Sequence, residues 1–147
     1  MAGGRGERMG AATADRPKPM IPVLGKPLLE HQLLWLKAHG FGRVFLSLGY
    51  KAKSVSDYFG DGARWGLSLE YHVEEAPRGT AGAIKDMMPR LGPEALVVYG
   101  DMFIDLDLGK LLDFHGSHDM AETICVGPPD HPLDSDLAKV DGKRLTS

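Results

Sequence analysis

One cysteine, Cys125, stands in the 147 residues. No internal disulfide can form, and a reducing, cytoplasmic setting is expected. No apolar run approaches the roughly 18 residues that a bilayer crossing needs. The first residues, Met1-Ala2-Gly3-Gly4-Arg5-Gly6, contain no apolar core segment, so they do not read as a secretory leader. A charge of one sign is missing too. Lys and Arg number 17 against 20 Asp and Glu, a net of −3, so no basic field points to nucleic acid. No internal repeat or domain linker is visible.

Turn formers are abundant. The 19 glycines and 10 prolines amount to about a fifth of the chain, against a usual share of roughly 12%. They occur singly and in short motifs, which predicts many turns. Between them, apolar periods alternate in type. Pro27 opens a helix carrying Leu28, Leu29, Gln32, Leu33, Trp35 and Leu36, and Gly40 closes it. Residues 44–48 read as a buried strand. Residues 51–59 read as a helix with Val55, Tyr58 and Phe59 inward. Leu67, Leu69, Tyr71 and Val73 alternate as a strand. Thr80 is placed to cap a helix ending near Met88. Residues 95–99 and 123–126 read as strands covered on both faces. Asp107 caps a further helix, and Asp141-Gly142 reads as a hairpin turn. The alternation predicts an α/β class with a mostly parallel sheet.

Ligands of such sheets bind beyond the carboxyl ends of the strands, where four features fall. In Ala2-Gly3-Gly4-Arg5-Gly6-Glu7-Arg8-Met9, glycines can point successive N–H groups at phosphate oxygens, with Arg5 and Arg8 as cations. A flexible glycine-rich segment is the alternative. In Pro17-Lys18-Pro19 the prolines hold the lysine backbone extended, which suits a fixed phosphate contact; an exposed loop lysine is the alternative. In Glu74-Glu75-Ala76-Pro77-Arg78-Gly79-Thr80-Ala81-Gly82 a helix start with small residues follows a strand, so a base or phosphate could approach closely. Asp101 ends the apolar segment 95–99. Its carboxylate suits Mg²⁺, or serves as a turn or capping group.

Two rival motifs fail on inspection. A P-loop needs a glycine, four residues, then Gly-Lys and a Ser or Thr; Met20 and Pro27 occupy the flanking slots around Gly25-Lys26. A dinucleotide fingerprint needs a ribose-binding acid about 20 residues on. Position 22 is Pro, and the next strand ends in Gly49-Tyr50.

In this order and spacing the pieces resemble the sugar-1-phosphate nucleotidyltransferase family over essentially the whole chain. The resemblance rests on residues 2–9, Pro17-Lys18-Pro19-Met20, Gly79-Thr80-Ala81-Gly82-Ala83 and Gly100-Asp101. Gly25-Lys26-Pro27-Leu28-Leu29-Glu30 and Tyr58-Phe59-Gly60-Asp61-Gly62 add to it. Within the family the chain looks like the mannose-1-phosphate and heptose-1-phosphate guanylyltransferases. Asp130-His131-Pro132 and Asp134-Ser135-Asp136-Leu137 resemble heptose-pathway members, some of which carry a fused phosphatase domain.

The resemblance implies a Rossmann-like, three-layer, mostly parallel sheet. It implies that an NTP and a sugar 1-phosphate give an NDP-sugar and pyrophosphate. Ala2, Gly3, Gly4 and Gly6 would cradle nucleotide, as would Gly79 and Thr80. Arg8 would neutralise triphosphate, Lys18 would clamp the reacting phosphates, and Asp101 would hold Mg²⁺. Glu7 departs from the Ser or Thr of many members. The base reader of the family falls at Glu74. A carboxylate only accepts hydrogen bonds, and guanine offers two adjacent donors, N1–H and N2–H₂, so GTP is expected. Glu75 is the alternative reader, and a solvated acid pair is the plain alternative to both.

The family runs well past 200 residues and places an apolar strand before the glycine-rich loop. Residues 1–147 are therefore expected to be the nucleotide-binding portion of a larger domain, lacking its first strand and its sugar-binding half. Residues 1–16 are then expected to be mobile unless another chain supplies the strand. A relative that binds nucleotide or a partner protein without turnover is the alternative function.

Other residues read plainly. His115 and His118 are expected at a solvated helix end rather than on a metal. Met87 and Met88 are expected in the core, and Cys125 is expected inside an apolar strand and inert. Trp35 and Trp65 are expected to pack, although Trp65 leaves a homo-oligomer contact open.

Overall fold

The computed structural model describes residues 16–74, 76, 78–127 and 138–146. The chain divides into two units after Leu106. In the first, Pro22–Val23 (β1) pairs antiparallel with Lys26–Pro27 (β2), and Leu24 and Gly25 turn the chain with φ of 49° and 82°. Helix α1, Leu28–Ala38, follows at once. Its end is a Schellman closure: Phe41 N–H donates to Leu36 O and Gly40 N–H to Lys37 O, both at 3.1 Å. Gly40 takes φ +87°, as expected of the glycine that stops a helix.

Arg43–Leu48 (β3) and Ser68–Val73 (β4) pair in parallel, Arg43 opposite Ser68 through Leu48 opposite Val73. Helix α2, Ala52–Phe59, and a 3₁₀ turn at Ala63–Trp65 connect them. This βαβ unit holds the core. Leu29 and Leu33 of α1 meet Leu46 and Leu48 of β3, Val55 and Phe59 of α2, and Leu67 and Leu69. Leu33 is fully buried; burial of such a side chain contributes roughly 1.5–3 kcal/mol. Trp65 packs on the Phe59 ring at 5.0 Å between centroids, as a packing residue should.

Several expectations are corrected. Helix α3 is Gly79–Met87, with Arg78 in the capping position, so Thr80 lies inside the first turn and caps nothing. Tyr58 is partly exposed, and its hydroxyl donates to Glu30 at 2.9 Å. Met87 is buried but Met88 is exposed, because the helix gives way there to a 3₁₀ turn, Met88–Arg90. Residues 95–99 join no ladder among the described residues. A ladder needs a neighbour within about 4.8 Å. Val44 and Leu46 of β3 and Ala95 and Val98 of this segment instead line an apolar cavity of about 90 Å³.

In the second unit, Asp107 caps helix α4, Leu108–Gly116, by accepting from Lys110 N–H at 3.2 Å, as expected. Residues 123–126 form no strand, and Cys125 is exposed, because no described strand pairs with them. Val140–Asp141 (β5) and Arg144–Leu145 (β6) form the hairpin. Its loop is Gly142-Lys143, one residue beyond the expected turn, with Gly142 at φ +59°.

Candidate active site

The site begins at a rigid lysine. Pro17 and Pro19 are fully buried, and a 3₁₀ turn over Lys18–Met20 fixes the backbone between them. Lys18 therefore leaves a stiff base. Its Nζ lies 3.2 Å from Asp101 Oδ2, across 83 residues of sequence. The lysine side chain is 29% exposed and the aspartate 46%, so the pair is reachable by solutes. The structure thus brings together the two residues assigned to phosphate and metal.

Asp101 is carried by a turn rather than a strand. The buried Gln32 amide of α1 donates to the carbonyls on either side of it, Tyr99 O at 2.8 Å and Met102 O. The sequence marks Gln32 only as part of a helix stripe. A polar residue on an apolar stripe was the available signal.

Glu74 follows the carboxyl end of β4. Its N–H donates to Leu48 O at 2.9 Å, extending the parallel pairing. Its Oε1 accepts from the fully buried Ser47 hydroxyl at 2.9 Å. One carboxylate oxygen is thereby fixed against the sheet. Ser47, too, was missed: a single serine inside an apolar strand gives no sign of its partner 27 residues on.

At the start of α3, Gly79 takes φ +69°, and a Cβ there would meet nothing within 4 Å. Gly82 differs. A Cβ on it would come 2.6 Å from Arg78 Cβ, so its bare face is used by Arg78. The Arg78 Nη1 donates to both carboxylate oxygens of Asp86, at 2.6 and 2.8 Å. That pair ties the loop before α3 to the helix.

The expected nucleotide loop, Ala2, Gly3, Gly4, Gly6 and Arg8, lies outside the described residues, as do Glu75 and the 130–137 motif. His115 and His118 are joined through Thr123 Oγ1, at 2.8 and 3.2 Å. Among the described residues no group of three or more His, Cys, Asp or Glu could hold a metal by itself. Asp101 nevertheless suits Mg²⁺, a hard ion commonly held by one or two carboxylates with phosphate oxygens completing its shell.

Residues 1–137 match the Nucleotidyl transferase family. The chain belongs to that family. It is 40% identical over 119 residues to mannose-1-phosphate guanylyltransferase of Mycobacterium tuberculosis, covering 80% of this chain and 33% of the relative. It is 40% identical over 111 residues to D-glycero-alpha-D-manno-heptose 1-phosphate guanylyltransferase of Campylobacter jejuni, covering 76% and 50%. Among solved structures, HddC from Yersinia pseudotuberculosis superposes with a TM-score of 0.71 at 34% identity, covering 80% of this chain and 52% of that one. A putative glucose-1-phosphate thymidylyltransferase from Bacillus anthracis shares the fold, with a TM-score of 0.82 over 98% of this chain. The chain thus spans between a third and six-tenths of the length of these relatives. The expected nucleotidyltransferase fold is confirmed. No helix among the described residues is long and apolar enough to cross a membrane.

Proposed function

We propose that this chain forms the nucleotide-binding part of an enzyme that transfers GMP from GTP to mannose or heptose 1-phosphate. The observation that carries the reading is the Lys18–Asp101 pair, cation and carboxylate 3.2 Å apart at a solvent-reachable turn. A sugar phosphate oxygen is already anionic near neutral pH, so no general base is required. It forms a bond to the α-phosphorus as the bond to the β-bridging oxygen breaks, and pyrophosphate leaves with that electron pair. Such a step needs positioning and charge neutralisation more than covalent help.

Each residue then has a role. Lys18, on its proline-stiffened base, neutralises phosphate oxygens as charge shifts toward the leaving group. Asp101 and the triphosphate oxygens would hold Mg²⁺, which supplies further neutralisation and orientation when bound. Arg8 and the loop of Ala2, Gly3, Gly4 and Gly6 take the triphosphate, and Gly79 and Thr80 receive the nucleoside from the start of α3. Glu74 reads guanine: Ser47 occupies Oε1, leaving acceptor capacity for N1–H and N2–H₂. The names of relatives support guanine, as does HddC, solved in complex with GMP-PN.

Calorimetric titration and a pyrophosphate-release assay test this reading. The full chain should bind GTP with Mg²⁺ more tightly than UTP or dTTP. With mannose or heptose 1-phosphate it should release pyrophosphate, and Asp101→Ala should abolish release. Equal or tighter UTP binding would sink the guanine assignment. GTP binding without release would favour a nucleotide-holding relative.

A further inference from the structure

We propose that Gln32 is a positioning residue for Asp101, setting where the carboxylate can meet a nucleotide-bound cation. The inference rests on the reading of Asp101 as the metal-holding residue. Gln32 lies on α1 and is 5% exposed. Its Nε2 donates to the carbonyls of Tyr99 and Met102, which bracket Gly100-Asp101. Carbonyls only accept, so the amide nitrogen must face both, and its two N–H groups are then both used.

Two features make this tie matter. First, residues 95–103 belong to no helix or ladder among the described residues, so no described ladder fixes the turn. Second, Asp101 itself makes a half-exposed ion pair with Lys18, a kind of pair that contributes little rigidity. Lys18 is also the group proposed to face the phosphates. Gln32 instead links the turn to α1, whose neighbouring Leu29 and Leu33 sit in the core. The His31 ring lies 6.1 Å from the Phe103 ring and extends the same contact.

The test compares metal-dependent with metal-free nucleotide binding. Gln32→Met keeps the length of the side chain and removes both donors. Titrations of the full chain with GTP are run in Mn²⁺ and in EDTA, with thermal melts to confirm folding. Expected is about a tenfold loss of affinity for Mn²⁺–GTP, with metal-free GTP affinity unchanged within twofold. Amide exchange at 100–103 should quicken. In an Asp101→Asn background, adding Gln32→Met should change Mn²⁺–GTP affinity by less than twofold. If Gln32→Met does not fold, Gln32→Asn, too short to reach both carbonyls, gives the same comparison. Asp101→Asn weakening Mn²⁺–GTP while a folded Gln32 variant does not would overturn the Gln32 role alone. Asp101→Asn leaving Mn²⁺–GTP affinity unchanged would overturn the metal assignment and, with it, this inference. Equal losses with and without metal would mean that Gln32 acts only on general packing, which also overturns it.

Discussion

Glu30 is a carboxylate almost withdrawn from water, 6% exposed, on the face of α1 that also buries Leu29 and Leu33. Burial alone would raise its pKa. Hydrogen bonds from Tyr58 and Trp65 and the nearby Lys26 ammonium outweigh that and hold it below the usual carboxylate range. Tyr58 donates at 2.9 Å, and this bond in turn raises the tyrosine above its ordinary value. The sign follows from linkage. A lowered folded pKa gives stability that is present above the unfolded value and is lost as pH falls through the folded one. The raised Tyr58 gives stability that is present below about pH 10 and is lost above it. Glu30→Ala should cost about 0.5–1.5 kcal/mol, the net contribution of the Tyr58 hydrogen bond, since the partly exposed hydroxyl can turn to water. Glu30→Gln should cost less. The gap in melting temperature between wild type and Glu30→Gln should hold steady from pH 7 to 5 and close below pH 4. A gap that persists unchanged to pH 3 would show that the carboxylate's charge is not the stabilising feature. At this scale the sequence was least legible. Glu30, Gln32 and Ser47 all sit at positions where local pattern predicts only helix or strand. Their partners lie 28, 67 and 27 residues away, and no local period encodes such pairings.

Elements were legible where a local signal stops or starts them. Gly40 and Asp107 did so at α1 and α4, because one left-handed residue or one capping oxygen satisfies backbone groups within a single turn. At residues 95–99 the apolar run predicts burial, while a strand also needs a neighbour, and no described strand pairs with them. The link from α2 to β4 has its own local determinant. Gly62 takes φ +84°, and a Cβ there would lie 2.5 Å from Leu69 Cγ and 3.0 Å from Leu67 O. Both neighbours are held, Leu69 in the core and Leu67 O in the backbone. Gly40 has a similar φ with nothing within 4 Å of the same atom. Gly40→Ala should therefore lose only the left-handed preference, about 1–2 kcal/mol. Gly62→Ala should lose that and more, since β4 or the Leu69 side chain must shift. Urea unfolding of the two variants measures the difference, and equal midpoints would refute a packing role for Gly62. Helix-stop chemistry made Gly40 readable; the closeness of Leu69 to Gly62 appears only once β4 is in place.

At the scale of the whole molecule, protection should be uneven. The βαβ unit with α1 holds the eight-residue apolar cluster and the six-residue parallel ladder. Residues 107–127 and 138–146 offer one buried apolar side chain, Leu108, with Leu112, Ile124, Val126, Val140 and Leu145 exposed. Local opening costs little where few apolar groups are buried and approaches the global unfolding free energy where many are. Amide exchange should thus be slowest for Leu46 and Leu48 in β3 and for Glu70 and His72 in β4, whose N–H groups face the partner strand. These amides should lose protection together as urea is added, reporting global unfolding. Amides of 122–127 and of the 140–145 hairpin should exchange orders of magnitude faster, with little urea dependence, as expected of small local openings. Residues 99–103 should fall between the two classes, because the Gln32 amide ties them to α1 while no described ladder includes them. Hydrogen exchange read by NMR resolves these groups. Protection of 122–127 equal to that of β3 would mean that this stretch is sequestered in solution, and the exposure of Cys125, Ile124 and Val126 would then not describe the working state of the chain.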